Sequence, residues 1–226
     1  NDYIGHAFGP QSLEVEDMTY RTDLQLGAFV KYLNEKIGAG KWTLALTADH
    51  GVAPIPELVA EQHGAGEQAL PAKRAPLGDL KTVKETLEAL LRQELKVKEL
   101  QDSKTKNVIL DLDSNQVYLN YDHPNLKSNH FGQARQLIRE WLLKQPYVAL
   151  AATREELLGG GDHPLLQQVR LSFNPLRSGD VLFCYVPYAI PAASATAKPK
   201  GTTHGSPYHY DTHVPLLLLG HGIAAG

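Results

Sequence analysis

One junction restricts the fold more than any other feature. Residues 42–47, Trp-Thr-Leu-Ala-Leu-Thr, are short, apolar and rich in β-formers, and they run straight into Ala48-Asp49-His50-Gly51. The pattern predicts a buried strand that ends in a functional loop. Ahead of it, Met18, Leu24, Leu26, Phe29, Val30, Leu33 and Ile37 recur at spacings near 3 and 4, with Gly38 and Gly40 just beyond, which predicts an amphipathic helix with a glycine stop. A helix followed by a strand followed by a chemically loaded loop is the repeating unit of an α/β sheet with helices on its faces, whose catalytic loops lie beyond the strand ends.

The rest of the chain keeps this alternation. Residues 52–78 hold four prolines and several glycines, and read as an extended connection without regular structure. Leu80, Val83, Leu87, Leu90, Leu91 and Leu95 form an apolar stripe within residues 79–98, a second helix. Residues 108–121 alternate around Asp113-Ser114-Asn115 as two short strands and a turn, and residues 131–144 read as a helix leading to a strand at 148–151. A short helix at 164–169, a strand at 180–186, a small-residue loop at 191–201 and a strand at 215–219 complete the expectation. Residues 58–190 read as an inserted α+β region within one domain.

Composition removes several classes. The 226 residues carry 22 Lys plus Arg against 25 Asp plus Glu, a net charge of -3 with no long basic run, so nucleic acid is not expected as a partner. A single cysteine, Cys184, allows neither an internal disulfide nor a cysteine-based zinc site, and leaves any metal to His, Asp and Glu. The apolar run at residues 214–219 is far shorter than the roughly 20 residues that cross a bilayer. No signal-like segment opens the chain, and Asn1 leads directly into motif-like sequence, as a fragment would. Nothing in the sequence sets an oligomeric state.

Three clusters carry metal-binding chemistry. Asp2 and His6 stand four apart in a glycine-bearing segment that ends at Gly9-Pro10. Asp49 and His50 follow the predicted strand, although an Asp-Gly turn would account for the same residues. Residues 201–215, Gly-Thr-Thr-His-Gly-Ser-Pro-Tyr-His-Tyr-Asp-Thr-His-Val-Pro, place His204, His209 and His213 close together, with hydrogen-bonded packing as the alternative for the last two. Imidazole and carboxylate without thiolate suit zinc in an open, catalytic site. Two ions about 4 Å apart can stabilise both the attacking and the leaving oxygen of an in-line displacement at phosphorus.

In order and spacing, Asp2-x-x-Gly5-His6-x-x-Gly9-Pro10, Thr47-Ala48-Asp49-His50-Gly51 and Thr203-His204-Gly205 resemble the alkaline phosphatase superfamily, which includes the nucleotide pyrophosphatase/phosphodiesterases. Tyr210-Asp211-Thr212-His213-Val214-Pro215-Leu216 after the His-Gly looks most like the bacterial monoesterase branch. The likeness covers both ends of the chain well and residues 58–190 loosely. It implies the C-terminal part of one alkaline phosphatase-like catalytic domain, with a central sheet flanked by helices.

Carried over residue by residue, the resemblance makes Asp2, His6 and His204 ligands of one zinc, and Asp49 and His50 ligands of a second that remains incomplete. The missing ligand and the Thr or Ser nucleophile would precede this chain, so no catalytic residue is assigned within it. The implied reaction is hydrolysis of small-molecule phosphate monoesters through a covalent phosphoenzyme. Phosphodiester or nucleotide pyrophosphate hydrolysis is the alternative, and a metal-binding fragment without activity is the reading of these residues taken alone. Sulfatases and cofactor-independent phosphoglycerate mutases share the metal scaffold. Asp211, His209 and His213 are expected behind the ligands, Asp211 as a carboxylate that orients an imidazole. By the same resemblance the parent protein would be periplasmic or secreted.

Overall fold

The structure is a computed structural model that describes residues 1–63, 73–75, 80–98, 107–113, 115–191 and 201–224. The chain divides into two compact units, one of residues 1–62 with 200–226 and one of residues 63–199.

The first unit opens with helix α1 (Asp2–Phe8) and the long helix α2 (Leu13–Lys36). Ser12 caps α2, its Oγ accepting the Val15 N–H at 3.2 Å, while Glu14 and Glu16 face the positive end of the helix dipole and Lys36 the negative end. Strand β1 (Thr43–Thr47) pairs antiparallel with β8 (Leu216–Gly220), Thr43 opposite Gly220 and Thr47 opposite Leu216. Between them in sequence lie α3 (Pro56–His63) and the single-turn helix α8 (His209–Thr212).

The remaining elements belong to the second unit. They are β2 (Lys73–Ala75), α4 (Leu80–Glu94), β3 (Ile109–Asp113), β4 (Gln116–Leu119), α5 (Ser128–Leu143), β5 (Val148–Thr153), α6 (Arg154–Gly159), α7 (Pro164–Leu171), β6 (Val181–Tyr185) and β7 (Ala189–Pro191). Its sheet runs β3-β4-β6-β5, antiparallel throughout, and β2 pairs with β7 in a separate parallel pair. Successive strand residues face opposite sides of a sheet. Accordingly Ala151 and Phe183 join the core made by Leu87 and Leu91 of α4 and Ile138 and Leu142 of α5, while Ala152 and Leu182 pack with Leu157 of α6 and Val169 of α7.

Polar groups in this unit are placed to close its edges. Both Glu88 carboxylate oxygens accept backbone N–H groups, from Val108 and Ile109 at 2.8 Å each. Thr153 and Glu156 form a reciprocal cap at the start of α6. Buried Asp180 accepts the Leu119 N–H at 2.9 Å and the Tyr121 hydroxyl, with the Arg135 and Arg154 guanidinium groups 3.5 and 3.6 Å away. Burial, then Asp180, pushes the Tyr121 phenol above its ordinary value. Cys184 is buried and its thiol is pushed up to about 12 by desolvation, so it carries no thiolate chemistry at neutral pH.

Several expectations change. The connection at 52–78 contains α3 and β2, because Pro56 occupies the first helical turn, where its missing N–H costs nothing. The glycine-bearing segment of Asp2 and His6, given no secondary structure from the sequence, is a helix. The junction strand β1 and the apolar strand β8 are not buried: Leu216 is 67% and Leu219 50% exposed, and α2 buries none of its apolar residues. A two-stranded ribbon has two open faces, and among the described residues no further strand or helix layer covers these. Ser114 and residues 192–200, part of the expected turn and loop, lie outside the described residues.

Ile138, fully buried between α5 and the sheet, has the volume to test the core of the second unit. Ile138→Ala is expected to lower its stability by about 2–5 kcal/mol in denaturant unfolding, as large-to-small core changes do.

Candidate metal centre

The two ends of the first unit meet through backbone hydrogen bonds. The Thr202 N–H donates to the His6 carbonyl at 2.8 Å, and Ala53 N–H donates to the Thr203 carbonyl at 3.0 Å. The Thr202 hydroxyl donates to the Ala53 carbonyl at 2.8 Å. The Gly51 N–H donates to the Asp211 carbonyl at 2.7 Å. So the residue after His50 is tied to the turn after His204, and the residues before His204 are tied to α1.

At two of these crossings only glycine fits. A Cβ on Gly51 would stand 2.1 Å from the Tyr210 carbonyl oxygen, and one on Gly201 would stand 2.0 Å from the His6 carbonyl oxygen. Gly201 also has φ +67°, the left-handed region that disfavours other residues.

This lacing brings four side chains to one point. Asp2 and His6 share a face of α1 one turn apart. Asp2 Oδ1 lies 3.4 Å from His6 Nε2, 3.5 Å from His204 Nε2 and 3.9 Å from His50 Nε2. The His50 and His204 rings stack with centroids 3.4 Å apart, and the His6 ring is tilted 4.9 Å from His204. Asp2, His6 and His204 each offer a ligand atom within 4.8 Å of the others. Asp49 points away, 89% exposed, with Oδ2 3.6 Å from His50 Nε2.

Ring orientation follows from backbone carbonyls, which can only accept. His6 Nδ1 faces the Thr202 carbonyl at 2.8 Å and His50 Nδ1 the Gly51 carbonyl at 2.8 Å, so in both rings Nδ1 carries a proton, and in the neutral imidazole that leaves the lone pair on Nε2. Metal-binding histidines use the same arrangement, the distal N–H fixed by a carbonyl. His204 is held below its ordinary pKa by burial, then by His50 and His6, against the opposing pull of Asp2 and Asp211. Its neutral form, the one able to donate a lone pair, is thereby favoured.

His209 and His213, one helical turn apart across α8, stack on each other at 4.4 Å and are exposed. Asp211 is buried, with Oδ2 accepting the Ser206 N–H at 2.7 Å. Thr202 is a positioning residue that the sequence reading passed over. Its only signal is its place after Gly201 and two residues before His204.

Replacing Gly51 by Ala is expected to weaken metal binding by the chain and to destabilise the first unit by about 1–3 kcal/mol, since the Tyr210 backbone must move. Gly27→Ala, on α2 with nothing within 4 Å of the added carbon, is the control, expected to stabilise by about 0.5–1 kcal/mol. Thermal unfolding and calorimetric titration of both variants separate the two effects.

Comparison with known proteins identifies the family of the chain. The sequence profile of the type I phosphodiesterase/nucleotide pyrophosphatase family matches residues 1–143. A Myroides odoratus protein named calcium-transporting ATPase is 31% identical over 226 residues, all of this chain and 38% of its own length. Alkaline phosphatase PafA of Elizabethkingia meningoseptica is 31% identical over 229 residues, 100% of this chain and 37% of its own. The crystal structure of wild-type PafA superposes with a TM-score of 0.76 at 29% identity, covering 100% of this chain and 39% of that one. The chain therefore spans a little over a third of the length of these relatives, and it belongs to the type I phosphodiesterase/nucleotide pyrophosphatase family, within the alkaline phosphatase superfamily.

Proposed function

We propose that the parent protein is a zinc-dependent phosphoester hydrolase, acting chiefly on phosphate monoesters, and that these residues supply most of its metal-binding half. One observation carries the reading. Asp2 Oδ1 faces the lone pairs of His6 and His50 at 3.4 and 3.9 Å, acceptor against acceptor, with the distal N–H of each ring committed to a carbonyl. A carboxylate and neutral imidazoles so placed have no proton to share, and such a cluster would be stabilised by positive charge between them.

Asp2, His6 and His204 would hold one zinc, and His50 with Asp49 would contribute to a second. An all-nitrogen-and-oxygen donor set with neutral imidazoles suits zinc in an open site. Zinc there would supply Lewis-acid stabilisation of charge developing on the phosphoryl oxygens. The chain's own residues hold and orient: α1 fixes Asp2 and His6 on one face, the Thr202 and Gly51 carbonyls fix the rings of His6 and His50, and the 201–205 segment sets His204 over them. No Thr or Ser of these residues is assigned as the nucleophile of a phosphoenzyme, and no residue here is assigned as the remaining ligand of the second zinc. The substrates would be small phosphate esters, and the setting periplasmic or extracellular.

The name of the relative PafA supports the monoesterase choice, and the family description supports diester or pyrophosphate hydrolysis as the second reading. In the complete protein, an aryl phosphate monoester is expected to be hydrolysed in preference to its methyl diester, with activity lost to a chelator and restored by zinc. Preference for the diester would reverse the choice of substrate class, and activity indifferent to chelation would remove the metal reading. The chain itself is expected to bind zinc tightly at one site, and His204→Ala to weaken that by more than about 100-fold, beyond what loss of an outer partner does.

A further inference from the structure

Asp211 is the buried carboxylate nearest in sequence to the His204 turn, and its hydrogen bonding is incomplete. It is 4% exposed. Oδ2 accepts the Ser206 N–H at 2.7 Å, which closes the turn that begins at His204. Its main-chain carbonyl accepts the Gly51 N–H at 2.7 Å, on the residue that follows His50. Among the described residues, Oδ1 has no partner. A buried carboxylate oxygen left unpaired is costly, so its persistence needs a reason.

The His204 ring supplies the complementary deficit. His6 and His50 each have Nδ1 tied to a carbonyl, whereas His204 Nδ1 has no hydrogen bond among the described residues, and its Nε2 is the atom turned to Asp2. An imidazole that presents Nε2 to a cation carries its proton on Nδ1, and that N–H needs an acceptor. Asp211 exerts a favourable charge interaction on His204.

We propose that Asp211 is the positioning residue of the His204 ligand: it closes the 204–211 turn through Oδ2, joins that turn to the His50 loop through its carbonyl, and takes the His204 Nδ1–H on Oδ1 when Nε2 binds metal. This rests on the metal-site reading above. It also gives one residue a hold on both ligand groups, because a shift of Asp211 moves Gly51 as well as Ser206.

The test uses the chain with zinc alone, comparing the wild type with Asp211→Asn, Asp211→Glu and His204→Ala. Zinc affinity is read by calorimetry and the ring proton of His204 by nitrogen-15 NMR. Asp211→Asn is expected to weaken zinc by about 10–100-fold. The zinc-loaded wild type is expected to show His204 as the Nδ1–H form, with a strongly downfield proton that moves upfield in the Asn variant and returns in part with Glu. Wild-type affinity in Asp211→Asn, while His204→Ala abolishes binding, overturns the proposal and leaves the metal site standing. A zinc-loaded wild type in which His204 Nδ1 carries no hydrogen-bonded proton overturns it too, whether or not any variant folds. Absence of zinc binding by the wild type overturns both.

Discussion

The first unit depends on close backbone contact between segments far apart in sequence. His6 and Thr202, Ala53 and Thr203, and Gly51 and Asp211 are joined by main-chain hydrogen bonds of 2.7 to 3.0 Å. Such bonds fix position far more tightly than apolar contact, since they are directional and short. They are possible only because two of the crossings lack a Cβ. Here the glycines of the His-bearing motifs serve as clearance: an alanine at 51 or 201 would meet a carbonyl oxygen near 2 Å. Apolar burial contributes little to this unit, whose buried apolar side chains include Ala53 and Val59 but none from α2.

The second unit is stabilised differently. Its sheet carries helices on both faces, and the stripes on α4 and α5 interlock over the β3-β4-β6-β5 strands. Leu87, Leu91, Ile138 and Leu142 are fully buried, at the recurrence of four that a helix face demands. Its charged groups, Asp180 with Arg135 and Arg154, and Glu88 with the backbone of β3, satisfy strand ends and loops.

What the sequence reveals divides along the same line. Local periodicity makes α4, α5, β5 and β6 readable, because each is recognised from spacing within its own residues and packs as that spacing implies. The helix α1 is missed because Gly5 and the Gly9-Pro10 pair have a loop's composition, and α3 is missed because prolines read as breakers even where one starts a helix. The exposure of β1 and β8 is not readable, since an apolar strand specifies that a layer should cover it but not whether one is present. Thr202 is invisible for another reason: a neutral hydroxyl gains meaning only from the two segments it joins, one of them 149 residues away. The motifs name the ligands; only the lacing shows that His50 sits beside His204.

That adjacency bears on how the two ligand groups act. His50, assigned above to the second ion, lies stacked on His204 at 3.4 Å with Nε2 3.9 Å from Asp2 Oδ1, so the two ligand groups share one cluster. A protonated imidazole at that separation would repel its neighbour across a poorly screened gap. His50 and His6 already lower the His204 pKa, in the direction that repulsion requires. Adding protons to such a cluster would set like charges against one another, whereas the divalent cations proposed above would answer the ring lone pairs and the Asp2 carboxylate. The contacts that bring the rings together also hold His204 below its ordinary pKa, in the direction the proposed metal site requires, and a change at either loop would be felt at both.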